Sequence, residues 1–202
     1  MDADAVEIRV LGCLVEKQRT TPDVYPLSLN ALRMACNQST NRDPVVDYDE
    51  PTIRQALERL DRKRWARLAS GPGSRAAKYR HLLDDALGLD GGEISLLAVL
   101  MLRGPQTPGE LKQRTERLHR FGGLPDVAQT LETLAQRELA ARFERRPGQK
   151  EDRYAQLLGG GVEETALVHE DSPDGADRLA AIEARLARLE QAFDELSTRL
   201  TG

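Results

Sequence analysis

Residues 50–81 have the sequence EPTIRQALERLDRKRWARLASGPGSRAAKYRH, and this stretch decides which fold we expect. Its first half repeats apolar residues at helical spacing, at Ile53, Ala56, Leu57 and Leu60. Pro51 suits the first turn of that helix, because its missing N–H would have no partner there. Trp65 and Tyr79 then flank the turn Gly71-Pro72-Gly73, which favours two short extended runs. The stretch therefore predicts a helix followed directly by a β-hairpin.

Two further helices are predicted before this stretch. Residues 5–18 carry an apolar stripe that includes Ile8, Leu11, Leu14 and Val15. The second helix follows Ser28, whose hydroxyl suits an N-cap, and includes Leu29, Leu32, Ala35 and Cys36. The polar run Asn37–Arg42 then favours a loop held by its own side-chain to backbone hydrogen bonds, although its amides could also bind a ligand or peptide.

The same order of elements recurs later in the chain. The matched pairs include Glu7 with Glu93 and Thr21 with Thr107 at an offset of 86, Leu57 with Leu131 at 74, and Tyr79 with Tyr154 at 75. The fall in offset indicates that the second copy lacks about a dozen residues between its second and third helices. A unit of three helices closed by a hairpin is typical of the winged-helix fold. We therefore expect a mainly α chain with small β-hairpins (α+β), with winged-helix domains at 1–90 and 91–158.

The remaining residues predict a different kind of structure. Residues 159–174 are acidic and weakly apolar, which favours a flexible linker. Residues 175–202 carry a heptad seam formed by Leu179, Ile182, Leu186, Leu189, Phe193, Leu196 and Leu200. This pattern predicts a coiled-coil helix and a parallel homodimer. The alternative is that the helix folds back on its own chain.

Charge is distributed unevenly along the 202 residues, whose formal net charge is −4. Residues 54–80 contain nine Arg or Lys against only Glu58 and Asp61, whereas residues 161–202 are acidic. The chain contains only two cysteines, in apolar helical patterns, and we expect buried reduced thiols and a cytoplasmic location. We expect neither a membrane span nor a secretion signal.

The basic stretch makes double-stranded DNA the first expected partner. The candidate phosphate-binding residues are Arg54, Arg59, Arg62, Lys63, Arg75, Lys78, Arg145, Arg146 and Lys150. Asp49 and Glu50 open the third helix, where a recognition helix would meet base edges. We therefore expect limited sequence specificity, in a regulatory or chromosome-associated role.

No pattern points to catalysis, a metal or a cofactor. His81, His119 and His169 are dispersed, no nucleophile motif occurs, and Gly71-Pro72-Gly73 lacks the residues of a phosphate loop. We expect a protein that is not an enzyme. The alternative to DNA binding is a protein-interaction scaffold built on winged-helix domains, which the acidic start of the third helix favours.

Several long stretches carry a family resemblance. They are VLGCLVEK at 10–17, TTPDVYPLSLNALRMACNQSTNRDP at 20–44, KYRH at 78–81, LMLRGPQTPGELKQRTERLH at 100–119 and EDRYAQLL at 151–158. Together they closely resemble the YceH-like family of uncharacterised bacterial proteins. The resemblance implies a tandem winged-helix fold over about residues 5–158 with a variable C-terminal helix. It implies no activity, cofactor or catalytic residue.

Overall fold

A computed structural model describes residues 3–70, 76–145 and 151–160. The helices of these residues are α1 Ala5–Thr20, α2 Leu29–Cys36, α3 Glu50–Arg62, α4 Leu83–Leu87, α5 Gly91–Arg103, α6 Pro108–Thr115 and α7 Leu124–Gln136. The strands are β1 Leu27–Ser28, β2 Ala66–Leu68, β3 Lys78–His81, β4 Ala140–Phe143 and β5 Arg153–Gln156. The expectation of helices with small antiparallel sheets is confirmed. None of these helices has the length and apolar character needed to cross a bilayer.

Each hairpin forms a small antiparallel sheet, and β1 adds a third strand to the first one. In the first sheet the strand order is β1-β3-β2, with Leu27 opposite Tyr79 and Ala66 opposite His81. In the second, β4 pairs with β5, and Gln106 forms an isolated bridge to Tyr154. The sequence predicted the hairpins but not the contribution of β1, because two residues are too short to show an alternating pattern.

The helices begin where side chains satisfy their first N–H groups. Asp4 and Asp90 each form a capping box, with Glu7 and Glu93 respectively. The predicted cap Ser28 accepts the N–H of Ala31 at 3.3 Å. These local hydrogen bonds fix the starts of α1, α2 and α5.

The internal repeat is present in the backbone itself. Arg64 and Glu138, which lie 74 residues apart, have positive φ values of 60° and 54°. Each follows the third helix of its copy and allows the next residue's N–H to reach back into that helix, at Leu60 and Leu134. Two non-glycine residues in this unfavourable region at matched positions show that both copies make the same turn.

The structure corrects one matched pair and the position of the missing residues. Thr107 is the N-cap of α6, so its counterpart is Ser28, the N-cap of α2, at an offset of 79. Thr21 instead precedes a short 3₁₀ turn at Pro22–Val24. The second copy is therefore shorter in both loops, before and after its second helix. The sequence match failed because a Thr-Pro pair suits either a helix start or a turn.

The two copies share one core within a compact unit of residues 1–162. The first helices, α1 and α5, pack so closely that a Cβ added to Gly12 would lie 2.8 Å from Leu102 Cγ. The predicted boundary between residues 90 and 91 falls at the N-cap of α5, where the second copy begins. The linker and coiled coil predicted at 159–174 and 175–202 lie almost wholly outside the described residues and, with the cytoplasmic location, stay predictions.

Candidate nucleic-acid interface

The hairpin of the first copy carries three cations on one side of its sheet. Arg67 on β2 and Arg80 on β3 are cross-strand partners, so their side chains leave the sheet on the same side. Lys78 lies two residues before Arg80 and therefore shares that side. Neither strand contains an acidic residue. We call this positive surface the hairpin face.

The three side chains of the hairpin face differ in exposure. Arg67 and Lys78 are exposed, whereas Arg80 is half-buried. The Nε of Arg80 is buried and has no hydrogen-bond partner among the described residues. The two terminal nitrogens of its guanidinium carry four of the five N–H donors of the side chain.

The turn that leads from α3 into the hairpin adds positive charge, but the helix itself is balanced. Arg62 and Arg64 are exposed at the turn. The exposed charges along α3 are Arg54 and Arg62 against Glu58 and Asp61, with Asp49 and Glu50 exposed at its start. The hydrogen bond from Thr52 lowers the pKa of Asp49, so the start of α3 keeps a negative charge. Positive charge is thus concentrated at the hairpin end.

Two predicted DNA-binding residues are held by the first helix of their own copy. Arg59 donates to Asp4 Oδ2 at 2.6 Å. Lys63 Nζ donates to both carboxylate oxygens of Glu7, at 2.7 and 2.9 Å. Glu7 is 2% exposed, so these contacts compensate a buried charge. The charges of Arg59 and Lys63 are therefore largely balanced within the fold.

The hairpin and the third helix of the second copy lack a comparable positive surface among the described residues. Arg142 on β4 forms an ion pair with Asp152, and the backbone N–H of Arg145 and the side chain of Arg142 lower the pKa of that carboxyl group. The side chain of Arg145 is exposed. The exposed residues of α7 carry no positive charge; besides Leu124 they include Asp126, Gln129, Glu132 and Gln136. The predicted contacts Arg75, Arg146 and Lys150 lie outside the described residues.

The sequence shows the basic stretch 54–80, but the candidate residues chosen from it did not include Arg64, Arg67 and Arg80. The strand alternation that puts Arg67 and Arg80 on one side was the available signal. The contacts of Arg59 and Lys63 were not visible, because their partners lie 55 and 56 residues away.

A buried histidine lies on the inner side of the same hairpin. His81 is 3% exposed, and its Nε2 is 2.5 Å from Gln18 Oε1. Its Nδ1 accepts the N–H of Leu83 at 3.3 Å. Burial lowers the pKa of His81 to about 4, so the imidazole is neutral at neutral pH. It therefore connects the hairpin to α1 as a structural hydrogen-bonding group.

The polar run after α2 is a loop stabilised by its own bonds and by one buried arginine. Asn37 donates to the carbonyl of Tyr48 and accepts its N–H. Arg42 is 6% exposed, donates to the carbonyl of Ala35, and holds both carboxylate oxygens of Glu16, at 3.1 and 2.6 Å. The loop is thus fastened to α1 and α2, which accounts for most of its polar side chains.

The two cysteines are buried thiols, as the sequence predicts. Cys13 lies on α1 and Cys36 at the end of α2. A hydrogen bond with Cys13, together with burial, raises the pKa of Cys36. Cys36 is therefore protonated and belongs to the packed core.

Comparison with known proteins shows one family over most of the chain. Residues 3–149 match a family model described as a protein of unknown function, DUF480. A UPF0502 protein of Geotalea daltonii is 50% identical over 92% of this chain and 86% of its own length. A UPF0502 protein of Opitutus terrae is 46% identical over 91% and 81% of the two chains. The UPF0502 protein YceH of Escherichia fergusonii is 42% identical over 97% and 96%.

Proposed function

Since this chain belongs to the DUF480 family of unknown function, as the resemblance to YceH-like proteins predicted, we propose its function from its own surface. The protein is a non-enzymatic, tandem winged-helix DNA-binding protein with limited sequence specificity. It binds double-stranded DNA through phosphate contacts made by the first copy. Its role is regulatory or chromosome-associated.

The hairpin face is the observation that carries this proposal. Arg67, Lys78 and Arg80 lie on one side of a sheet that contains no acidic residue, and Arg62 and Arg64 are exposed beside it. In a winged-helix unit this hairpin is the wing, which contacts the DNA backbone. Arg and Lys bound to phosphates release condensed counterions, which favours binding without regard to sequence.

The charge of α3 supports limited specificity. Base readout by a helix in the major groove needs donors and acceptors that approach the bases without electrostatic repulsion. Glu58 and Asp61 offset Arg54 and Arg62 along the exposed side, and Asp49 keeps a negative charge at the start. Phosphate contacts at the hairpin end therefore supply most of the binding free energy.

Titration of a labelled duplex with the full chain at several salt concentrations tests this proposal. Each phosphate contact contributes about −0.9 to the slope of log affinity against log salt, so Arg67→Ala/Lys78→Ala should flatten the slope by about 1.8. The matched control is Arg33→Ala/Arg120→Ala, which removes the same charge from α2 and from the loop after α6. The proposal is overturned if the full chain does not bind the duplex at low salt. It is also overturned if the control variant flattens the salt slope as much as Arg67→Ala/Lys78→Ala does.

A protein-interaction scaffold is the second candidate, and α7 favours it. In the second copy, α7 is the helix in the position of a recognition helix. Its exposed residues include Asp126 and Glu132, and no cation occurs in it before Arg137. Such a surface repels phosphates but suits a protein partner. Capture of partners from the native cell that survives nuclease treatment, together with absence of duplex binding, would support the scaffold.

A further inference from the structure

A cleft of about 440 Å³ lies where the two copies meet. The first copy contributes Glu16 and Thr20 from the end of α1, and Asn41 from the loop after α2. The second copy contributes Arg103 at the end of α5, and side chains from α6 and the residues after it, among them Arg114 and Arg117. This volume is within the range of about 300–1,000 Å³ that is typical of small-molecule sites.

The acidic groups near the cleft already accept hydrogen bonds or form ion pairs within the fold. The arginines of the cleft are only partly balanced by these negative charges. Both carboxylate oxygens of Glu16 accept hydrogen bonds from Arg42, which lies behind the cleft wall. Arg114 is 3.5 Å from a carboxylate oxygen of Glu110, a contact longer than a hydrogen bond needs. Arg117 is exposed and forms no ion pair within the described part of the chain.

The surroundings of Arg103 show that positive charges lie close together at the cleft. Its side chain donates to the amide oxygen of Asn41, which is neutral. Burial lowers the pKa of Arg103, and the positive charges of Arg114 and Arg42 lower it further. Repulsion between like charges costs free energy that a bound anion would relieve.

The rest of the lining suits an organic molecule rather than a bare ion. The half-buried Leu118 supplies apolar surface beside the edges of the buried Val99 and Leu102, and the amides of Asn41 and Gln113 supply donors and acceptors. Guanidinium groups form paired hydrogen bonds with phosphate oxygens. A lining that combines apolar side chains, amides and three arginines fits a molecule that has both an apolar part and an anionic group.

We propose that this cleft binds a small phosphorylated molecule of nucleotide size, with Arg103, Arg114 and Arg117 holding the phosphate. The site is separate from the hairpin face, since no residue of β2 or β3 lines the cleft. Because the lining comes from both copies, the bound ligand stabilises the contact of α1 with α5 and α6. The proposal does not depend on DNA binding.

Calorimetry and thermal unfolding of the full chain test it, with pyrophosphate and AMP as probes and adenosine as the uncharged comparison. AMP should bind and raise the melting temperature, pyrophosphate should bind more weakly because it has no apolar part, and adenosine should do neither. Arg114→Ala and Arg117→Ala should each weaken AMP binding about tenfold, because each removes a charge-assisted hydrogen bond to the phosphate. Circular dichroism confirms that each variant is folded.

The matched control is Arg120→Ala, which removes an 83% exposed arginine close in sequence that does not line the cleft. It should bind AMP as the parent does, and so should Arg67→Ala/Lys78→Ala. No binding of either anionic probe at about 10 mM overturns the proposal, as does an equal loss in Arg120→Ala. Displacement of AMP by duplex DNA, with duplex binding weakened by Arg117→Ala, would assign the cleft to the nucleic-acid surface and also overturn it.

Discussion

Replacement of Glu7 by Gln should destabilise the protein without altering the proposed DNA contacts. The carboxylate is 2% exposed and accepts hydrogen bonds from Lys63 Nζ at 2.7 and 2.9 Å and from the N–H of Asp4 at 2.8 Å. Gln has nearly the same volume and keeps one oxygen for the N–H of Asp4. The variant therefore removes the charge and places an amide N–H₂ donor beside the ammonium group of Lys63.

The size of the loss in stability depends on how deeply each partner of the Glu7–Lys63 ion pair is buried. Loss of one partner from a fully buried ion pair costs about 3–5 kcal/mol, because the other charge stays buried. The side chain of Lys63 is 29% exposed, so its ammonium group keeps some contact with water. We expect Glu7→Gln to lower the free energy of unfolding by about 2 kcal/mol. Lys63→Met should cost more, about 3 kcal/mol, because it leaves the carboxylate of Glu7 as the buried charge.

Urea unfolding at neutral pH measures both values, and Glu58→Gln on the exposed side of α3 is the matched control. The control should stay within about 0.5 kcal/mol of the parent. The duplex titration then separates structure from binding, since Lys63→Met should leave the salt slope unchanged. A slope flattened by about 0.9 with unchanged stability would refute the reasoning and identify Lys63 as a phosphate contact.

Two further predictions concern the core. Because burial lowers the pKa of His81 to about 4, the unfolded chain takes up its proton first, and the free energy of unfolding should fall by about 3 kcal/mol as pH falls from about 6.5 to 4. Urea unfolding across that range should show a smaller loss in His81→Gln. Gly12→Ala should lower the free energy of unfolding by about 1–3 kcal/mol, because its Cβ would lie 2.8 Å from Leu102 Cγ.

For each of these two predictions, a specific result would contradict it. An unchanged dependence on pH in His81→Gln would show that other groups cause the loss of stability. Gly109→Ala is the control for Gly12→Ala, since the nearest atoms to its added Cβ are 3.9 Å away. If both alanine variants were equally stable, α1 and α5 would not be in the close contact described above.

The sequence allowed prediction of the features that depend on near neighbours. Ser28 caps α2, and Pro51 lies in the first turn of α3, because each effect acts within three or four residues. The repeat was detectable because its signature residues, such as Tyr79 and Tyr154, occupy matching strands. Its offset was misassigned at Thr107, where one dipeptide suits two local structures.

Features that depend on distant partners were not predictable from local patterns. The buried side chain of Arg42 falls in a run that reads as an exposed polar loop, and only the arrangement of α1 beside it explains the burial. The cleft arginines, Arg103 and Arg114, belong to different helices whose approach no local pattern shows. Density of charge could therefore indicate a positive region, but not which arginines face solvent and which are already bonded.

The close packing of α1 against α5 makes the association of the two copies independent of protein concentration. These helices are the same element of the two copies, and the matched positions Gly12 and Ala98 are both small and buried. Between two separate molecules, the occupancy of such a contact would depend on concentration, and a symmetric pair would need a surface complementary to itself. Within one chain neither condition applies. The first copy carries the hairpin face, and in the described part of the second copy Arg142 is paired with Asp152, yet both copies belong to one compact unit.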